Sequence, residues 1–265
     1  MKIVAFKDGL GNQLFQYRLY SHLRNKYPNE KIYGYYNKKW LKAHNGLEIF
    51  DRFDLEKPSS NLFIDFITII LRVLDKLIPL VARDSSFHSN SILYVGYWQD
   101  KSFWDSDFSP IPFRTIDLSA DNVKMLNMIK ETQSVFVHIR RGDYLNPENS
   151  IYNVCTIDYY NKAIQVINAK VSSPRYFIFS DDIAWAKENL IIPNACYIDF
   201  NKGTDSFIDM YLMSQCKYGI IANSTFSYWG AINGITKSII IFPSKWKIKA
   251  TGNMPNIFKP DWLQL

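Results

Sequence analysis

Four side chains able to do chemistry fall within one hexapeptide, HIRRGD: His138, Arg140, Arg141 and Asp143. A guanidinium presents a planar fork of donors that matches two phosphate oxygens at once, and it stays charged at any working pH. Arg140 and Arg141 therefore suit a phosphate or diphosphate. The residues ahead of them, Val135, Phe136, Val137 and Ile139, predict a buried strand that ends where the charges begin. In an open α/β sheet the ligand crevice lies beyond the carboxyl ends of the strands, which puts Arg140, Arg141 and Asp143 at the lip of a cleft. A second reading fits the same hexapeptide: one arginine pairs with Asp143 and ties off the strand end.

Three further clusters sit where predicted strands stop or helices start. Gly9, Gly11, Asn12 and Gln13 follow a strand-like run, Lys2 to Phe6, and lead into a helical run from about Gln13 to Tyr27 that stops before Pro28. Glycines let the backbone approach a ligand, and a helix N-terminus offers unpaired N–H groups to an anion. The same turn also serves simply to pack a helix on a strand. Asn223, Ser224 and Thr225 open a helix predicted to reach about Asn233, where they would cradle a phosphate or act as plain caps. Asp181 and Asp182 raise the question of a divalent metal. Neighbouring strand residues point to opposite faces and Asp182 is placed to cap a helix, so no metal site is expected.

Four stretches resemble the bacterial α-1,2-fucosyltransferases of glycosyltransferase family 11 in order and approximate spacing. They are GLGNQLFQY at Gly9 to Tyr17, GYWQDKSFW at Gly96 to Trp104, HIRRGDY at His138 to Tyr144, and IDMYLMSQCKYGIIANSTFSYWGA at Ile208 to Ala231. Arg18 stands where that pattern calls for a small residue. The resemblance implies an inverting, cofactor-free and metal-free enzyme of the GT-B type: an α/β protein of two Rossmann-like domains with a cleft between them. Residues 1–118 would form the acceptor side and 119–265 the GDP-fucose-binding side. L-fucose would pass from GDP-fucose to the 2-hydroxyl of a terminal galactose in an oligosaccharide or a lipid-linked glycan.

The resemblance also implies roles. Asp209 and His138 would meet the guanine, Arg140 would stabilise the charge on the departing GDP in place of a metal, and Gly11, Asn12, Gln13, Arg141, Asn223, Ser224 and Thr225 would contact substrate. On the helix predicted over about Asp205 to Cys216, Phe207, Ile208, Tyr211 and Leu212 form one apolar face, with Asp205, Asp209, Met213 and Cys216 on another. Asp143, the carboxylate nearest the arginines in sequence, is the candidate general base. An adjacent arginine would make it a weaker one, and the alternative is that it orients Arg140 or Arg141. Two rival functions remain open: fucosyl transfer with another linkage or acceptor, and sugar-nucleotide or glycan binding without turnover.

Composition agrees with a globular enzyme. At 265 residues there is room for one large domain or two small ones, and 47% hydrophobic with 16% aromatic residues excludes disorder. A formal charge of +6 suits an anionic ligand such as a nucleotide diphosphate. The lysines are dispersed, which argues against nucleic acid as a partner. Cys155, Cys196 and Cys216, odd in number and without a CxxC pair, predict neither a disulfide framework nor a zinc site but reduced, buried thiols. MKIVAF has no apolar signal core, so the expected location is cytoplasmic, as in the bacterial rather than the membrane-anchored animal members.

From Ser119 onward strands and helices alternate, the pattern of a parallel, doubly wound sheet; the first half shows it less completely. Asp105 to Leu118, with Pro110 and Pro112, reads as the connection between domains. Residues 37–60 are loop-rich and suggest no role. Asn61 to Val81 is the most apolar stretch, with Asp65, Thr68, Arg72, Asp75 and Lys76 recurring as one narrow polar stripe on a helix. Its four charges and Pro79 speak against a transmembrane span. The wide apolar face is expected to pack on its own domain, the alternatives being the inner-membrane surface or a partner subunit.

Overall fold

The computed structural model describes the chain except for residues 42–44, 76–79, 85–90, 235–237 and 249–253. Two compact units emerge, Met1–Asp107 and Phe108–Leu265. The first closes ahead of the boundary expected after Leu118. The proline-bearing segment belongs with the second unit, where the Ile111 N–H donates to Asn233 Oδ1 at 2.9 Å.

The first unit holds strands β1 (Lys2–Phe6), β2 (Ile32–Tyr36), β3 (Val81–Ala82) and β4 (Leu93–Tyr94), all parallel, in the order β2-β1-β4-β3. Every residue of β1 is buried, as a central parallel strand covered on both faces requires. Helix α1 (Leu10–Lys26) begins earlier than the sequence predicts. The left-handed position of the turn falls on Asp8 (φ 60°), which leaves Gly9 extended as the N-cap and puts Gly11 inside the first helical turn. Arg18 on this helix forms an ion pair with Asp107. Two short helices, α2 (Lys38–Leu41) and α3 (Ile49–Arg52), interrupt the loop-rich segment.

Helix α4 (Leu62–Leu74) is capped by Asn61, whose Oδ1 accepts the Ile64 N–H at 3.0 Å. It docks through Ile64, Thr68 and Leu71 against Ile3, Ala5, Tyr35, Val81 and Leu93. The sequence placed the broad apolar face inward, and the structure does not. Leu62, Phe63, Phe66, Ile69, Ile70 and Val73 all face outward. Hydrophobicity surrounds most of this helix, so periodicity could not say which apolar side would find the sheet. Lys76 of the expected stripe lies outside the described residues. Among the described residues no helix is long and apolar enough to cross a membrane.

The second unit contains α5 (Ala120–Glu131), β5 (Gln133–Ile139), α6 (Ile157–Lys170), β6 (Pro174–Ser180), α7 (Ile183–Asn189) and β7 (Cys196–Ile198). It continues with α8 (Phe207–Gln215), β8 (Tyr218–Ile220), α9 (Thr225–Ile232), β9 (Ile239–Phe242) and β10 (Leu263–Gln264). The sheet is all-parallel in the order β10-β9-β8-β5-β6-β7. Counted from β5, that is the strand order of a doubly wound nucleotide-binding fold, and the order reverses between β5 and β8. Val135, Val137 and Ile139 pack with α6 and α7, while Phe136 and His138 point to the other face, where His138 meets Phe226 of α9. On the α8 face that carries Asp209, Met213 is buried against Gly230 of α9, and Cys216, just beyond the helix, is buried as well.

Candidate active site

The loop after β5 is organised by a residue that the sequence offered only as a metal ligand and then set aside. Asp181, at the end of the neighbouring strand β6, accepts the Arg141 backbone N–H at 2.8 Å and lies 3.1 Å from Arg140 Nη1. A Cβ on Gly142 would come within 3.1 Å of its Oδ2, close enough that the carboxylate would have to give by a few tenths of an ångström. Asp143 stands 2.9 Å from Arg140 Nη2. Arg140 thus holds a carboxylate at each tip of its fork, and its side chain remains partly open to solvent. Burial pulls its pKa down, but Asp181 and Asp143 outweigh that and raise it.

Arg141 goes elsewhere. Its Nε donates to Asp182 Oδ2 at 3.2 Å and its guanidinium lies 4.5 Å over the Trp185 ring, while Asp182 caps α7 by accepting the Trp185 N–H. The Nε and one face of the guanidinium are thereby turned to the start of α7. Asp143 is paired with Arg140, the contact that the orienting alternative calls for.

At the reversal of strand order the β5 loop is tied to the β8 loop. Arg140 lies 5.7 Å from the Tyr144 ring, and the Tyr144 hydroxyl donates to the Asn223 carbonyl at 3.1 Å. The Asn223 side chain is not available to a ligand. It is 2% exposed and donates to the carbonyls of Tyr152 (2.8 Å) and Trp246 (3.0 Å), while its Oδ1 accepts from the Cys155 thiol. Burial pushes that thiol up to about 12, so it stays protonated. Ser224 is the N-cap of α9 through its Oγ, and Thr225, half-buried, opens the helix.

His138 is buried, its Nδ1 without a hydrogen-bond partner, and its ring is 5.9 Å from that of Phe226. Burial, helped by the Arg140 charge, draws its pKa down to about 3, so the ring is neutral. Asp209 on α8 accepts from Asn201 Nδ2 at 2.7 Å. Asn201 and Asn122 exchange two amide hydrogen bonds (2.8 and 3.0 Å), and Asn122 also donates to Ser119 Oγ. Burial lifts Asp209 to about 7 against the opposing pull of the Asn201 bond. Asn122 and Asn201 carry no motif signal, since each is one asparagine in a helix or loop until the fold joins them.

In the first unit the ends of β1 and β4 converge. Gln99 Nε2 donates to Asn12 Oδ1 at 3.1 Å, and Gln16 Nε2 reaches the Gly96 carbonyl at 3.2 Å. Asp84 accepts the backbone N–H groups of Tyr97 and Trp98, the latter at 2.6 Å with φ 58°, and a Cβ on Gly96 would meet this carboxylate at 2.8 Å. Tyr97 stays exposed with Lys7 4.0 Å over its ring. Gln13 is overturned as a ligand contact. Fully buried, it donates to the carbonyls of Asp8 and Gly46 and accepts from the N–H groups of Glu48 and Ile49. Gly11 is buried too, leaving Asn12 as the exposed-side polar group of that turn. Among the described residues no three His, Cys, Asp or Glu side chains gather as a metal-ligand set.

Against this geometry, residues 49–265 match the model of the family described as glycosyl transferase family 11. The chain belongs to glycosyltransferase family 11. This family 11 chain is 32% identical to an alpha-1,2-colitosyltransferase of Escherichia coli over 92% of its own length and 91% of the relative's. It is 31% identical to galactoside alpha-(1,2)-fucosyltransferase 2 of Rattus norvegicus over a shorter stretch, 37% of this chain and 28% of that protein. Among solved structures it is similar to the fucosyltransferase NodZ from Bradyrhizobium, with a TM-score of 0.48 and 15% identity over 86% of this glycosyltransferase and 90% of that chain.

Proposed function

We propose that this glycosyltransferase moves L-fucose from GDP-fucose to the 2-hydroxyl of a terminal galactose, with inversion and without a divalent metal. The observation that carries the reading is Arg140, a guanidinium held at the carboxyl end of β5 where the strand order reverses. A diphosphate arriving there meets a guanidinium already oriented by Asp143 and Asp181, whose remaining N–H groups are partly open to solvent. As the bond from fucose to phosphate breaks, negative charge gathers on the departing oxygen, and a preset cation stabilises it without reorganising. Asp209 supplies the nucleoside end: a carboxylate accepts from the two ring-edge donors of guanine, which adenine does not offer. The transition state resembles an oxocarbenium ion and asks little of a base, so Asp143 is assigned to orienting Arg140. The acceptor sugar is assigned to the first unit, where Tyr97 is exposed two residues ahead of Gln99, whose amide donates to Asn12.

A second reading keeps the chemistry and changes the donor. Similarity to a colitosyltransferase over nearly the whole chain favours it, and colitose is L-fucose without its 3-hydroxyl. Purified protein incubated with GDP-fucose or GDP-colitose and a panel of galactosides, followed by NMR of the product linkage, tests both. An α-1,2-fucosyl product is expected. Transfer from GDP-colitose alone would move the assignment to the second reading, and no transfer from either would reject both.

A further inference from the structure

We infer that the outward face of α4 is a docking surface for an anionic lipid bilayer. Leu62, Phe63, Phe66, Ile69, Ile70 and Val73 occupy that face, with exposures from 39% to 86%. The helix is held to the first unit by its other side, so this exposure is not a loose segment awaiting its own core. Single exposed apolar residues are ordinary, whereas six on one helical face form the contiguous patch that marks an interaction site. At 13 residues α4 is roughly 20 Å long, too short to span a bilayer but suited to lie along the boundary between headgroups and acyl chains. Phe63 and Phe66 supply the bulky rings that such a boundary accepts.

Charge decides the occupant. Arg72 is exposed on α4 and its guanidinium lies 4.5 Å over the ring of Trp40, whose chain neighbours Lys38 and Lys39 are exposed as well. Arg83, paired with Asp75 at the end of the helix, is half exposed. Against these four cations stand Asp65, Asp75 and Asp84, the last already turned to the Tyr97 and Trp98 N–H groups. A second copy docked through the same face would set this positive border against itself, because a twofold interface is self-complementary. Anionic headgroups neutralise the border while the acyl chains receive the apolar residues.

The test is cosedimentation of the full chain with vesicles of phosphatidylcholine alone or mixed with phosphatidylglycerol, with light scattering to read the protein's mass. Binding to the mixed vesicles, weakened by salt and much lower on phosphatidylcholine alone, is expected. Phe66→Asp should reduce it at least about tenfold, the loss of one buried ring, and Arg72→Gln roughly fivefold, the loss of one cation near the surface. Both sites are exposed, and unchanged circular dichroism and thermal midpoint confirm that the variants fold. Absence of binding to either vesicle overturns the proposal. So does binding that Phe66→Asp leaves intact, or a dimer in solution that Phe66→Asp dissociates while vesicles bind nothing.

Discussion

At the scale of single residues the site turns on Arg140 and Asp209. Arg140→Lys keeps a charge but cannot hold Asp143 and Asp181 at once or offer two parallel donors to a diphosphate. Turnover is expected to fall by about 10²- to 10³-fold, and further in Arg140→Ala, with the thermal midpoint of each variant separating this loss from unfolding of the loop that Arg140 ties to Asp143 and Asp181. Near-normal turnover in the lysine variant would remove the bidentate role. Asp209, lifted to about 7, predicts a pH dependence of nucleotide binding. The guanine takes the ionised carboxylate, so GDP affinity should be flat above that value and drop by up to about tenfold per pH unit below it. Asp209→Ala should cost roughly 1.5 to 3 kcal/mol and abolish the slope. Asn201→Ala removes the bond that favours the ionised form, so the midpoint should move up, with the loss of affinity larger below it than above it. Equal weakening at all pH values would make Asn201 structural only.

At the scale of elements, each unit uses one aspartate from beyond the end of a neighbouring strand to fix a loop that flanks its strand-order reversal. Asp181 gathers the loop after β5, and Asp84 the loop after β4. Each clamp sits against a glycine, Gly142 and Gly96, which leaves room for the carboxylate. Gly96→Ala would set a methyl 2.8 Å from Asp84, expelling the carboxylate from the Tyr97 and Trp98 N–H groups. We expect about 1 to 3 kcal/mol lost in denaturant unfolding, from unsatisfied backbone donors and strain at Trp98. Since Tyr97 is assigned to the acceptor, KM for the galactoside should rise more than KM for the donor. The reverse order would place Tyr97 on the donor.

At the scale of the whole molecule, the proposed reaction draws its cation from the polypeptide. Full turnover in excess chelator is therefore the expected result. Activity that returns only with magnesium or manganese would instead direct attention to Asp143 and Asp181, whose present partner is Arg140.

Much of this was legible from the chain alone. The alternation of β-branched runs with amphipathic ones, and the charges placed where runs stop, predicted the parallel second sheet and its strand ends; α6 spans Ile157–Lys170 as its period required. The motifs that resemble family 11 were equally local, and they brought forward Arg140 and Asp209 as candidates. What the tertiary structure decided was partnership. Gln13 and Asn223 read as ligand contacts because polar residues at a strand end offer donors, yet backbone groups distant in sequence consume those donors. Arg140 and Arg141 are indistinguishable as neighbours in a string; β6 separates them by giving Asp181 to one and Asp182 to the other. Helix α4 was predicted as a helix, but its outward face depended on which of two apolar sides the first sheet could accept. Periodicity and propensity are properties of a few consecutive residues, whereas burial and hydrogen-bond satisfaction belong to groups that meet only when the chain has folded.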